Sequence, residues 1–151
     1  MAGGLSRAIL RTPGRSFAAG LTSAGGGAPD LPRALAQHAA YARALEACGL
    51  ALTILAADER LPDGTFVEDT AILTPPAAIV TRPGAPSRLR ETDAIEEALV
   101  RFYPTLLHIR APGTVDGGDV CECDDQFLIG ISARTNEAGA TELAGLLHDR
   151  G

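Results

Sequence analysis

Val67-Glu68-Asp69 sets two adjacent carboxylates between Phe66 and Thr70-Ala71-Ile72, within a stretch whose apolar pattern predicts a strand over residues 66–73. Burying a carboxylate costs several kcal/mol unless a partner meets it. A pair at a strand's mouth points to a cationic ligand; a solvated strand end is the plain alternative, because most carboxylates are exposed. Asp63, in the turn Pro62-Asp63-Gly64, and the pair Glu68 and Asp69 suit a planar cation such as a substituted guanidinium, whose N–H donors a carboxylate accepts in parallel pairs. Arg88 and Arg134 each stand just before an expected helix, where a cation is mildly unfavourable to the dipole. A second purpose is therefore favoured, and a guanidinium fork is suited to holding an α-carboxylate in one orientation. Asp116-Gly117-Gly118-Asp119, taken alone, is a turn or bulge.

The elements that must position these groups follow from the apolar periodicity. Arg7-Ala8-Ile9-Leu10-Arg11 reads as a first strand, followed by the turn Thr12-Pro13-Gly14 and a loop rich in Gly, Ser and Ala from Leu21 to Pro29. Asp30 caps a helix that Pro32 begins, with Leu35, Ala39, Ala42 and Leu45 inward and Gly49 ending it. Strands are expected over residues 51–55, 66–73, 77–81, 106–109, 114–121 and 126–132, with a break at Pro75-Pro76. A helix after Ser87 turns Ile95, Leu99 and Phe102 inward until Pro104 stops it. A last helix, capped by Thr135 or Asn136, does the same with Ala140, Leu143 and Leu147. Glu91, Glu96, Glu97 and Arg101 read as the solvated face of their helix.

A repeat emerges. Residues 51–102 run strand, acidic loop, two strands, helix, and residues 106–150 run the same way. Val67-Glu68 corresponds to Val115-Asp116, and Arg88 to Arg134; the separations, Glu68 to Asp116 and Arg88 to Arg134, are 48 and 46 positions. Two matches with one element order argue for a supersecondary unit used more than once. Units set about a common axis would gather the acids at the centre with the arginines beside them, a receptor for a zwitterion carrying one more positive group.

Composition bounds the rest. One domain is expected from 151 residues, which can bury roughly 68–70% of the unfolded surface. A net charge of −6 argues against nucleic acid or an anionic membrane as partner. All 13 basic residues are Arg, which removes Schiff-base and P-loop lysine chemistry. No apolar run reaches the length of a membrane span. Residues 1–29 hold Arg7, Arg11 and Arg15 and no acid, a faint likeness to a transit peptide that the strand reading outweighs. Cys48, Cys121 and Cys123 are odd in number and read as reduced thiols of a cytoplasmic protein. Cys121 and Cys123 share a strand face but lack further ligands for zinc, so they are expected to be buried apolar thiols. His148 is expected to face a helix C-terminus. No cofactor or metal is implied.

Phe66-Val67-Glu68-Asp69, Thr81-Arg82-Pro83-Gly84-Ala85, Arg101-Phe102-Tyr103-Pro104, Thr114-Val115-Asp116-Gly117-Gly118-Asp119 and Ser132-Ala133-Arg134-Thr135-Asn136 together resemble dimethylarginine dimethylaminohydrolase, a family of the pentein superfamily of guanidino-group-modifying enzymes. Arg11-Thr12-Pro13, Gly20-Leu21-Thr22-Ser23 and Pro62-Asp63 extend the likeness over almost the whole chain. The resemblance implies an α/β-propeller of repeated strand-strand-helix-strand units, incomplete, with about three of five units present in a single catalytic domain over residues 1–151. It implies hydrolysis of methylated arginine to citrulline and an amine through a covalent Cys-thiouronium adduct, with a His as general acid and then base. By motif match Asp116 orients that His, Glu68 and Asp69 meet the guanidinium, and Leu21 (through its backbone), Asp63, Arg88 and Arg134 meet the amino-acid end.

The likeness also implies that the nucleophilic Cys and the catalytic His lie downstream of Asn136. Neither His38, His108 and His148 nor Cys48, Cys121 and Cys123 match them. The chain carries about the first half of the family pattern, and alone is expected to bind poorly and not to turn over. Alternatives are another pentein (an arginine deiminase or related amidino hydrolase) and a non-catalytic binder of arginine analogues. Two carboxylate-binding arginines disfavour agmatine. The partner is expected to be a small molecule. Bare strand edges predict marginal stability or self-association, and a homodimer is compatible with the sequence.

Overall fold

The computed structural model describes residues 5–22, 25, 27–75, 77–123 and 126–148. Ser23, Pro76 and the end of the second repeat beyond residue 148 lie outside the described residues. The chain divides after Val67 into two compact units.

In the first unit β1 (Arg7–Arg11) pairs in parallel with β2 (Ala51–Leu55), from Arg7 opposite Ala51 to Arg11 opposite Leu55. Parallel strands need a crossover, and α1 (Leu31–Ala47) supplies it. The Asp30 side chain accepts the Arg33 N–H at 2.7 Å, Pro32 lies in the first turn, and Gly49 turns the chain out at φ +87°. Of the four positions expected to face inward, only Ala42 is buried. A sheet of two strands covers a narrow strip of helix, so Leu35 and Ala39 are exposed and Leu45 is half-buried. Leu10, Ala42 and Leu61 are the buried apolar side chains here.

The division falls within the 3-10 turn Val67–Thr70, which stands where a strand was expected from Phe66. The strand, β3 (Ala71–Thr74), begins only after the two acids, and runs antiparallel to β4 (Ala77–Val80). α2 (Glu91–Leu99) follows, and β5 (Leu106–His108) returns parallel to β4. A second 3-10 turn, Gly117–Asp119, leads into the antiparallel hairpin of β6 (Val120–Cys123) and β7 (Gln126–Ile129). The strand expected from Thr114 is thus a single bridge, Arg82 opposite Val115, followed by the turn. α3 (Glu137–His148) closes the described chain, capped by the Asn136 Oδ1, which accepts the Gly139 N–H at 2.8 Å.

The repeat is present, with a different phase. Ala71 and Val120 open the first strands of the two hairpins and Ala77 and Gln126 the second, a constant step of 49 positions. Sheet pairing places β5 with the hairpin before it, as the parallel partner of β4. The module is therefore strand, strand, helix, strand, and β1-α1-β2 repeats its last three elements. Each hairpin is entered through an acidic 3-10 turn. By the hairpin step Glu68 falls opposite Gly117 rather than Asp116, one residue from the motif pairing.

Ile72, Ile79, Ile109, Val115 and Leu143 form the core of this unit, with Leu107, Val120, Phe127, Ile129, Leu146 and Leu147 packed against it. Alternate residues of the strands and one stripe of α3 thus bury a common surface, each full burial contributing about 1.5–3 kcal/mol. Cys121 and Cys123 are exposed, against expectation. β6 pairs only with β7, and residues 121–123 gain no cover on either face. Among the described residues no helix is long and apolar enough to cross a membrane.

Candidate functional site

The chemistry of the second unit gathers around one buried guanidinium. Arg88, in the 3-10 turn Pro86–Arg88, is 5% exposed. Its Nη1 donates to Asp69 Oδ2 at 2.8 Å, and its Nε and Nη2 donate to the Glu91 carboxylate at 3.0 and 2.7 Å. Asp116 Oδ2 lies 3.6 Å from the same Nη1 and 3.3 Å from Nε of Arg134. Asp69, Glu91 and Asp116 are all buried, whereas the Arg134 side chain is 53% exposed and Glu68 lies open to solvent.

Backbone contacts force the two acidic turns together. A Cβ on Gly117 would collide with the Glu68 carbonyl oxygen, and one on Gly118 would lie 3.0 Å from Asp69 Oδ1 and 3.1 Å from Asp116 Oδ1. The Gly-Gly pair is thus what allows Glu68-Asp69 to stack on the second turn. Thr81 Oγ1 donates to the Asp69 carbonyl at 2.7 Å, fixing that turn to the end of β4.

Asp116 accepts the Gly118 N–H at 3.0 Å, and its own N–H donates to Thr135 Oγ1 at 3.0 Å. Thr135 in turn donates to Asp119 Oδ2 at 2.7 Å, as does Ser132 at 2.6 Å. Asp119 is therefore a latch that holds the segment carrying Arg134 against the Asp116 turn. A Cβ on Gly84 would come within 2.6 Å of the Arg134 carbonyl, so the Thr81–Ala85 segment braces the same residue.

The cluster is short of positive charge. Burial, then the carboxyl contact and charge of Asp69, push Asp116 up to about 6, against the opposing pull of the Gly118 N–H and Arg134. The Arg88 guanidinium loses solvation, yet its bonds to Glu91 and Asp69 outweigh that and hold it more firmly protonated than usual.

In the first unit Asp63 is buried, and both of its carboxylate oxygens accept the Leu21 N–H, at 2.9 and 3.1 Å. Gly20 permits this approach; a Cβ there would sit 2.6 Å from Asp63 Oδ1. Two expected ligand contacts, Leu21 and Asp63, are thus neighbours.

The structure brings together Asp69, Asp116, Arg88 and Arg134, with Glu68 on the adjoining backbone. Glu91 departs from its expected place on a solvated face: it is buried, because it meets Arg88 from one turn further along. Thr135 was also missed as part of the cluster. The spacing Arg88-x-x-Glu91 was the available signal for the first; nothing in the sequence marks the second beyond its place beside Arg134.

Known proteins carry similar sequences. The chain is 51% identical over 144 residues to the dimethylarginine dimethylaminohydrolase of Pseudomonas aeruginosa, covering 95% of this chain and 57% of that one. It is 38% identical over 138 residues to the enzyme of that name from Streptomyces coelicolor, covering 91% and 54%. A crystal structure of a dimethylarginine dimethylaminohydrolase adduct with S-methyl-L-thiocitrulline matches with a TM-score of 0.95 at 50% identity, over 97% of this chain and 58% of that one. By sequence and by fold, the chain is similar to part of the dimethylarginine dimethylaminohydrolases.

A Pseudomonas aeruginosa dimethylarginine dimethylaminohydrolase complexed with citrulline matches equally, with a TM-score of 0.94 at 50% identity over 96% of this chain and 57% of that one. The N-terminal domain of ArgZ matches at a TM-score of 0.81 and 13% identity over 93% and 54%, a likeness of fold alone. The fold is the α/β pentein type, built from repeated strand-strand-helix-strand units. No family model matches the chain. The chain spans about half the length of the dimethylarginine dimethylaminohydrolases it matches.

Proposed function

We propose that this chain contributes the arginine-recognition half of a dimethylargininase: an enzyme that hydrolyses N-ω-methylated arginine to citrulline and methylamine or dimethylamine. The carrying observation is the charge imbalance of the cluster. Asp69, Glu91 and Asp116 surround Arg88, with Glu68 adjoining and Arg134 bonded to Asp116. A guanidinium ligand adds positive charge beside Asp69 and Asp116 and makes the ionised form of Asp116 less costly.

In this reading Glu68 and Asp69 accept the N–H donors of the ligand's guanidinium. Arg134, whose guanidinium is bonded through Nε alone, and the remaining donors of Arg88 hold its α-carboxylate. Asp116 orients the His that protonates the leaving amine and then activates water, while a Cys thiolate attacks the guanidinium carbon to form the thiouronium adduct. None of His38, His108, His148, Cys48, Cys121 and Cys123 is given either role. The chemistry draws on no metal or cofactor.

The test is calorimetric titration of the full-length protein that carries this sequence with asymmetric dimethylarginine, arginine and agmatine, beside a citrulline assay on the same protein. Dimethylarginine is expected to bind, and Asp69→Asn to weaken it on the order of tenfold or more, the loss of a charge-assisted contact. Equal binding by the Asn variant, or citrulline release from arginine but not from its methylated forms, would overturn the proposal.

A further inference from the structure

Glu91 has no counterpart among the residues assigned above, yet it is among the most buried charges in the molecule, at 3% exposed. A carboxylate in that position must be matched by charge or be strongly destabilising. Arg88 supplies that match. Glu91 takes the Nε edge of Arg88 with both oxygens, at 3.1 and 3.0 Å to Nε and 2.7 Å to Nη2.

A guanidinium has five N–H donors in a fixed plane. Glu91 uses the Nε–H and one on Nη2, and Asp69 uses one on Nη1. One N–H on each terminal nitrogen is left, with Asp116 3.6 Å from Nη1. The two terminal nitrogens themselves lie at the far end of the guanidinium from its stem. Because the plane is rigid, fixing the Nε edge fixes where that end points. Asp69 alone, bonded through a single nitrogen, would leave the group free to pivot about Nη1.

We propose that Glu91 is a positioning residue: by clamping the Nε edge of Arg88 it aims the terminal nitrogens at the ligand's α-carboxylate, and so sets the preference for α-amino acids over decarboxylated analogues. This rests on the reading of the cluster as an arginine-ligand site. Glu91 itself touches no ligand. Its effect is on discrimination, since the guanidinium contacts at Glu68 and Asp69 serve both classes of ligand alike.

The experiment compares the full-length protein that carries this sequence with its Glu91→Gln variant, and with Glu91→Asp should the Gln variant unfold. Affinity is measured for asymmetric dimethylarginine and for agmatine, and Asp116 is titrated by carboxyl carbon NMR without ligand. The ratio of affinities is expected to fall on the order of tenfold, with agmatine binding little changed. The Asp116 midpoint is expected to drop by about 1, as a released Arg88 turns toward it. Equal weakening of both ligands, or an unmoved Asp116 midpoint, overturns the role given to Glu91. Failure of the parent chain to bind either ligand overturns the arginine-site reading instead, and the Asp116 titration still decides whether Glu91 governs Arg88.

Discussion

Replacing Asp116 by Asn tests the charge imbalance directly, through stability instead of activity. Asp116 is pushed from 3.8 to about 6 in the folded chain. Its folded value is raised above its unfolded value, so between those two pH values the folded state holds more protons than the unfolded state. Stability must then fall as pH rises from about 4 to about 6, and stay lower above it. A shift of about two pH units corresponds to ~3 kcal/mol at 1.36 kcal/mol per unit. Arg134, half open to solvent, borders the group, and water reaching that side screens the effect, leaving about 1–3 kcal/mol.

Asn keeps an Oδ1 to accept the Gly118 N–H and never ionises. The variant is therefore expected to match the parent near pH 4 and to exceed it by about 1–3 kcal/mol at pH 7. Urea unfolding at pH 4, 5, 6 and 7, compared at unchanged slope, measures the difference. A variant less stable than the parent at pH 7, or a difference that does not change across the series, would refute the argument that burial and the neighbouring Asp69 make the charge on Asp116 costly. The expected gain would also mark Asp116 as a residue whose charge is costly to folding, the pattern of a site kept for use.

Removing Arg88 has the opposite sign. Arg88→Met strands Asp69 and Glu91 as buried charges and is expected to destabilise by about 3–5 kcal/mol, read as a lowered urea midpoint; an unchanged midpoint would mean that water reaches both carboxylates. Gly117→Ala drives a methyl into the Glu68 carbonyl and is expected to cost about 1–3 kcal/mol and to displace the Glu68-Asp69 turn, visible as amide shifts at both acidic turns. Shifts confined to residue 117 and its neighbours would show that the turns do not depend on each other.

What the sequence made readable, and what it hid, divide along one line. Helix α1 was legible because its signals are local: Asp30, Pro32 and Gly49 each act within one turn. The hairpins were legible as paired apolar runs, and their spacing revealed the module. The entry into β3 was misjudged because Phe66 and Val67 continue an apolar pattern, while the chain bends into a 3-10 turn to stack on Gly117, a contact 49 positions away that periodicity does not encode. Cys121 and Cys123 were misplaced for a related reason, since burial of a strand face depends on which elements lie over it. Glu91 is the instructive case. Its helix face holds Glu96 and Glu97, and a pattern rule reads all three alike. Only Glu91 lies within reach of a cation that is itself buried, and the cue was the three-residue step from Arg88. A charged residue one helical turn from a suspected site arginine should therefore be weighed with the site, because the same clamp that neutralises it also fixes the direction in which the arginine acts.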